Sequence, residues 1–261
     1  NDTKLLFGYD LYKWSREYDD YTKDSTGGAL RFAYPVWNKW NLGWGYGYDD
    51  TNMTDVTLAN TSPTILASIL LEKTSFVRVG LHKDTRNKLT DASKGWLTTY
   101  SVKQAGGVLG GDSSFTKYEA TSGWYYPLKW NTVFHVKGSI GYVVENEETK
   151  LPVYEKFYLG GLNTIRGFDS GKISPLERNS DGVTFSRIGG EKMWYANLEW
   201  IFPIAKDIGL KGLVFFDAGN VYTDSQTWDV ADLRYSTGVG FRWLAPMGPL
   251  RLEWGWNLDP K

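Results

Sequence analysis

The sequence contains no cysteine and only two histidines, His82 and His135, so a disulfide framework, a thiolate nucleophile and a histidine-rich zinc site are all excluded. The absence of cysteine suits an oxidising compartment, where a stray thiol is a liability. Charge of neither sign is in excess: 29 Lys and Arg face 30 Asp and Glu along the whole chain, and no basic patch marks a nucleic-acid partner. No run of 18 apolar residues occurs, which excludes a transmembrane helix, and no Gly-x-Ser-x-Gly elbow is present. The mean hydropathy of -0.40 does not exclude the membrane, because a barrel strand needs apolar residues on its lipid face alone.

What is abundant is aromatic: 13 Trp and 17 Tyr, a load suited to two membrane interfaces. Hydrophobicity follows a period of two, the pleat of a strand. Leu250, Leu252, Trp254, Trp256 and Leu258 alternate with Arg251, Glu253, Gly255 and Asn257. Leu233, Tyr235, Thr237, Val239, Phe241 and Trp243 alternate with Arg234, Ser236, Gly238, Gly240 and Arg242, and Leu42, Trp44, Tyr46 and Tyr48 with three glycines. In Trp194–Trp200 the aromatic set interleaves with Tyr195, Asn197 and Glu199.

The pattern predicts eleven strands, over 4–14, 28–35, 40–49, 75–83, 95–103, 115–126, 132–144, 191–202, 209–219, 232–244 and 249–258. Most approach the ten residues that a tilted strand needs to cross a bilayer. Short connections carry Tyr34-Pro35, Tyr126-Pro127, Phe202-Pro203 and Ala245-Pro246, because proline cannot donate to a ladder. A longer polar turn falls near Asp84–Lys94. The opposite ends carry long connections over 15–27, 50–74, 104–114, 145–190 and 220–231, with a helix start at Ser62-Pro63 opening a short helix over 62–71. Long external loops and short periplasmic turns are the asymmetry of an antiparallel transmembrane β-barrel of the outer membrane. A soluble β-sandwich would instead show an aliphatic apolar face and polar outward residues.

The 145–190 connection is too long to be idle. It contains Phe157-Tyr158-Leu159-Gly160-Gly161-Leu162-Asn163-Thr164-Ile165-Arg166-Gly167-Phe168, apolar enough to be costly on a solvated tip. It is expected to fold back into the polar barrel interior. Arg166 would then need an anion, and Glu199 and Asp217 stand on adjacent strands; one guanidinium can bridge two carboxylates. Spacing alone leaves open that Arg166 is a solvated loop arginine and both acids are ordinary lumen charges.

Residues 157–168 resemble the Arg-Gly-Phe loop motif of the BamA-like outer-membrane insertase superfamily, with Ile165 where that family usually has valine. Ala196–Pro203, Phe215–Val221 and Pro246–Arg251 match further motifs in the same order. The resemblance implies that the loop enters the lumen and that its motif residues, Gly160, Gly161, Ile165, Arg166, Gly167 and Phe168, bring the arginine to Glu199 and Asp217. It also implies a non-enzymatic factor that inserts and folds unfolded β-barrel clients in the outer membrane, with lipid and accessory lipoproteins as partners and no cofactor. Such barrels have sixteen strands behind periplasmic POTRA domains. Residues 1–261 are therefore expected to be one incomplete barrel domain, without those domains, the first strands or the last strand.

A two-partner-secretion pore of the same superfamily is the alternative function; two upstream POTRA repeats rather than five would mark it. A plain diffusion porin would not need the 157–168 segment. A membrane-embedded lipase or protease would need a base. His82 falls with Arg78, and His135 with Lys137 and Ser139, on inward sets where a solvated polar role is expected. The acidic runs Asp49-Asp50 and Glu145, Glu147, Glu148 are expected to be solvated faces rather than a calcium site, and no metal is expected.

Overall fold

The computed structural model describes residues 4–57 and 60–259. Eleven strands form one antiparallel sheet in chain order, interrupted only by a small hairpin within the longest connection. They are β1 (Leu6–Glu17), β2 (Thr22–Pro35), β3 (Trp40–Thr54), β4 (Lys73–Asp84), β5 (Gly95–Ala105), β6 (Phe115–Pro127), β7 (Val133–Glu145), β10 (Lys192–Ala205), β11 (Leu210–Tyr222), β12 (Arg234–Ala245) and β13 (Gly248–Asn257). The hairpin pairs β8 (Leu176–Arg178) with β9 (Phe185–Arg187).

The alternation in the sequence becomes two faces. Trp44, Trp200, Val214, Phe216, Val239, Phe241, Leu252 and Trp254 lie on the exposed face, with Trp254 47% accessible. Their neighbours Tyr195, Asn197, Glu199, Phe215, Asp217 and Ser236 are buried on the other, and Asp217 is wholly inaccessible. An exposed face of Trp, Phe, Leu and Val is the lipid face of a barrel rather than the outside of a sandwich. Among the described residues no helix is long and apolar enough to cross a membrane.

The first predicted long connection, 15–27, is corrected. β1 runs on to Glu17 and β2 starts at Thr22, leaving a turn of four residues, 18–21. The polar run that suggested a loop is a hairpin whose ladder continues through Trp14↔Ser25, Ser15↔Asp24 and Arg16↔Lys23. Backbone pairing, not apolar content, carries strands past the bilayer edge. Pro203 likewise sits inside β10 beside a bulge rather than at its end. The helix of the 55–72 connection is α1 (Pro63–Ile69), whose N-cap Ser62 accepts the Ile65 N–H. Glu177 of β8 accepts from the backbone N–H and the hydroxyl of Thr64, tying α1 to the longest connection.

That connection, 146–191, lies on the inner face. It reaches Lys23 of β2 through the Tyr154 ring, Lys103 of β5 and Lys117 of β6 through Glu155, and Glu253 of β13 through Arg166. Nine inter-strand steps of about 4.8 Å would put β2 and β13 roughly 43 Å apart on a flat sheet. One segment touching β2 and β13 requires the sheet to curl around it. The inner face is not uniformly polar, as the sequence had suggested. Ala105, Phe115, Val143, Met193, Tyr195 and Val221 form an apolar bed for Phe157, Leu159 and Ile165.

Candidate functional site

The site is built from successive rungs of β7 and β10–β13. One rung runs Asn197↔Asp217↔Ser236↔Asn257, and the next His135↔Glu199↔Phe215↔Gly238↔Gly255. Toward the short-turn rim follow Ile201↔Leu213↔Gly240↔Glu253 and then Pro203↔Lys211↔Arg242↔Arg251. The rung with two glycines is hollow. A Cβ at Gly238 would stand 2.3 Å from the Phe215 ring, and one at Gly255 2.5 Å from the Gly167 nitrogen. Phe215 therefore lies over Gly238, and the loop backbone rests directly on β13. Gly167, at φ +84°, is the reciprocal face: its own Cβ would meet the backbone of Gly255, Trp256 and Asn257 at 3.0–3.1 Å.

Arg166 occupies this hollow, its guanidinium 3.6 Å above the Phe215 ring centroid. Nε donates to Asp217 Oδ2 at 2.7 Å and Nη2 to Asp217 Oδ1 at 2.6 Å, the bidentate fork. Nη1 donates to Glu199 Oε1 at 2.7 Å and to Glu253 Oε2 at 2.9 Å. The Arg166 backbone N–H also donates to Asp217 Oδ2, at 3.0 Å. Burial alone would weaken the guanidinium's hold on its proton. Asp217, Glu199 and Glu253 outweigh it and raise its pKa above the ordinary arginine value.

The tip carrying Arg166 is closed on itself. The Gly161 N–H donates to the Phe168 carbonyl, and the Thr164 hydroxyl both donates to the Gly160 carbonyl and accepts from the Gly160 N–H. Ile165 is fully buried in the apolar bed, and Phe168 packs at its edge. Asn197 Nδ2 spans the junction, donating to the Thr164 carbonyl at 2.6 Å and to Asp217 Oδ1 at 2.8 Å.

The structure thus places Arg166 on both carboxylates named from the sequence and adds a third, Glu253. It adds two more cations as well. Arg242 Nη2 donates to Glu199 Oε1 at 2.6 Å and Glu253 Oε1 at 3.2 Å, and Arg251 grips Glu253 at 2.5 and 2.7 Å. Three guanidinium groups meet three carboxylates, so a cluster that would be untenable with any charge in excess is balanced. Strand periodicity put Arg242, Arg251 and Glu253 on the inward set. Only the register Arg242↔Arg251, with Glu253 two residues on, brings them together.

His135 is corrected. It is buried, 2.8 Å from Glu199 Oε2 through Nδ1 and stacked on Tyr125 at 4.1 Å, rather than solvated beside Lys137. His82 is exposed, 3.2 Å from the Thr99 hydroxyl. The acidic runs are engaged locally. Asp49 accepts from the Tyr12 hydroxyl, Glu145 from the N–H groups of Lys150 and Leu151, and Glu147 pairs with Lys150. Among the described residues no three such side chains are grouped to hold a metal ion. A cavity of about 340 Å³ opens below the cluster, lined by Arg166, Arg242, Arg251 and Lys137. The 85–94 turn reaches across to it, where Asp91 pairs with Lys211 of β11.

A family model described as the Omp85 superfamily domain matches residues 2–261. The chain belongs to the Omp85 superfamily. It is 37% identical over 267 residues to the outer membrane protein assembly factor BamA of Nitratidesulfovibrio vulgaris, covering 99% of this chain and 32% of that relative. Its identity to BamA of Neisseria meningitidis serogroup B is 29%, covering 98% of this chain and 38% of that one. The chain therefore spans about a third of the length of these curated relatives. The crystal structure of BamA from Haemophilus ducreyi lacking POTRA domains 1–3 superposes with a TM-score of 0.82 at 20% identity, over 98% of this chain and 56% of that one, a likeness of fold. The eleven strands are those of an integral outer-membrane β-barrel.

Proposed function

We propose that this chain forms barrel wall in an assembly factor that inserts and folds β-barrel proteins in the outer membrane, making and breaking no covalent bond. The observation that carries the reading is Arg166 seated on Glu199, Asp217 and Glu253, in a chain 37% identical along its length to a protein named as such a factor. In lipid, an unpaired backbone N–H or C=O is very costly, so a client strand gains by pairing with an edge strand of an existing barrel. That service requires a wall that holds its curvature while an edge opens. The 146–191 connection, inserted in the lumen, is the brace, and its motif residues and charge partners set the position of the tip. The partners of the reading are outer-membrane lipid, unfolded barrel clients and accessory lipoproteins.

A polypeptide-conducting pore of the same superfamily would carry the same loop motif. Identity of 37% over 99% of this chain to an outer membrane protein assembly factor favours the insertase. The test is Arg166→Glu in the full-length protein. Glutamate would place a fourth carboxylate among three, and assembly of client barrels in cells should collapse. Normal assembly at normal abundance of the variant would refute the bracing role.

A further inference from the structure

A second charged group of the same connection lies half-buried eleven residues before Arg166, against the opposite part of the wall. Glu155 Oε1 lies 2.8 Å from Lys103 Nζ of β5, and its Oε2 3.8 Å from Lys117 Nζ of β6. Lys117 also donates to the Glu155 carbonyl at 2.8 Å. Neither lysine is a casual surface cation. Lys103 is 6% accessible, with its ammonium 4.2 Å from the Phe76 ring centroid and 5.4 Å from that of Phe115. Lys117 sits 4.6 Å from the Phe157 ring centroid. An ammonium among aromatic rings still needs an anion when water is excluded, and Glu155 supplies it to both.

The chain between the two anchors divides at glycines. Residues 157–159 form an outer limb, in which Phe157 pairs with Gly190 and Leu159 with Ile173 through the backbone. Gly160 (φ +108°) and Gly161 (φ +90°) turn the chain, and 161–168 close into the tip that carries Arg166. The two groups, Glu155 and then Arg166, are complementary to the wall they face, with lysines on β5 and β6 and carboxylates on β10, β11 and β13.

We propose that Glu155 is a second anchor of the connection, opposite in sign to Arg166, so that the brace is fastened at both ends and Arg166 governs only its tip. This rests on the bracing reading above and deepens it. A strut held at one end would follow whichever wall it is fixed to, whereas a strut held at both fixes the distance between β5–β6 and β10–β13.

The test is hydrogen exchange on the full-length protein in lipid, read at the Phe157 and Leu159 amides for the limb and at Gly161 and Arg166 for the tip. Glu155→Lys should speed exchange in the limb by about tenfold or more, leaving the tip nearly unchanged. Arg166→Ala should do the converse. Combining Glu155→Lys with Lys103→Glu should restore limb protection, and Glu155→Gln, which keeps shape, should give a smaller change of the same sign should the lysine variant not fold. Unchanged limb exchange in Glu155→Lys or Glu155→Gln, or equal loosening of limb and tip in Arg166→Ala, would overturn the second anchor. Client assembly measured on the same variants separates the two ideas. The expected exchange pattern with normal assembly would sink the bracing function and keep the anchor.

Discussion

Gly167 and Gly255 show at the residue scale why the loop motif reads Arg-Gly. The arginine can reach Asp217 and Glu253 only if the backbone following it lies on β13 without an intervening Cβ, and each glycine removes one. Gly167 carries the further demand of φ +84°, which penalises any residue with a Cβ. Gly167→Ala and Gly255→Ala should therefore act alike, lifting the tip and costing about 1–3 kcal/mol each. Urea unfolding of the refolded barrel, followed by gel mobility, measures the cost, and cleavage within 160–168 measures the lifting. A Gly255→Ala barrel with wild-type stability and a protected tip would show that β13 does not seat the loop. The motif glycine was visible in the sequence. Its partner was not, because a glycine in a strand offers no hint of what approaches it.

The 146–191 connection, as an element, depends on the ionisation of Glu155. Burial by itself would raise this carboxyl's pKa; Lys103 and Lys117, with Lys23 of β2 behind them, outweigh it and hold it at about 2. A carboxyl lowered in the folded state stabilises fully above its ordinary value near 4.5, and loses that contribution as pH falls through about 2. Between these values the outer limb should lose protection in the wild type, while Glu155→Gln, lacking the titration, should change little. Amide exchange corrected for intrinsic rates checks this, and equal acid dependence in both proteins would remove Glu155 as the cause. Among the elements, the strands and α1 were legible from period and cap, but the first hairpin was not. Its rungs pair polar with polar, and only cross-strand hydrogen bonds distinguish them from a loop.

The molecule as a whole inverts the usual placement of apolar side chains, and a single substitution reads that inversion. Leu198 lies midway along β10 on the exposed face, between the buried Asn197 and Glu199. In water an arginine there would be nearly neutral, whereas facing hydrocarbon it should cost about 2–4 kcal/mol near the midplane. Unfolding from lipid vesicles measures the difference between Leu198→Arg and wild type. A loss below about 0.5 kcal/mol, the range of ordinary surface changes, would mean that this face does not meet lipid.

Taken alone, the sequence determined the eleven crossing strands and their two faces, because period two is a local signal; it offered Arg166, Glu199 and Asp217 as candidates, and only the resemblance of the loop motif grouped them. Tertiary structure decided the rest. Glu253, Arg242 and Arg251 join the cluster through strand register, His135 is buried by the stacking of Tyr125, Glu155 meets Lys103 because the long connection folds back onto the inner face, and that connection reaches both β2 and β13 because the sheet curls. Register and curvature are sums over many backbone hydrogen bonds, and no short stretch of residues encodes them.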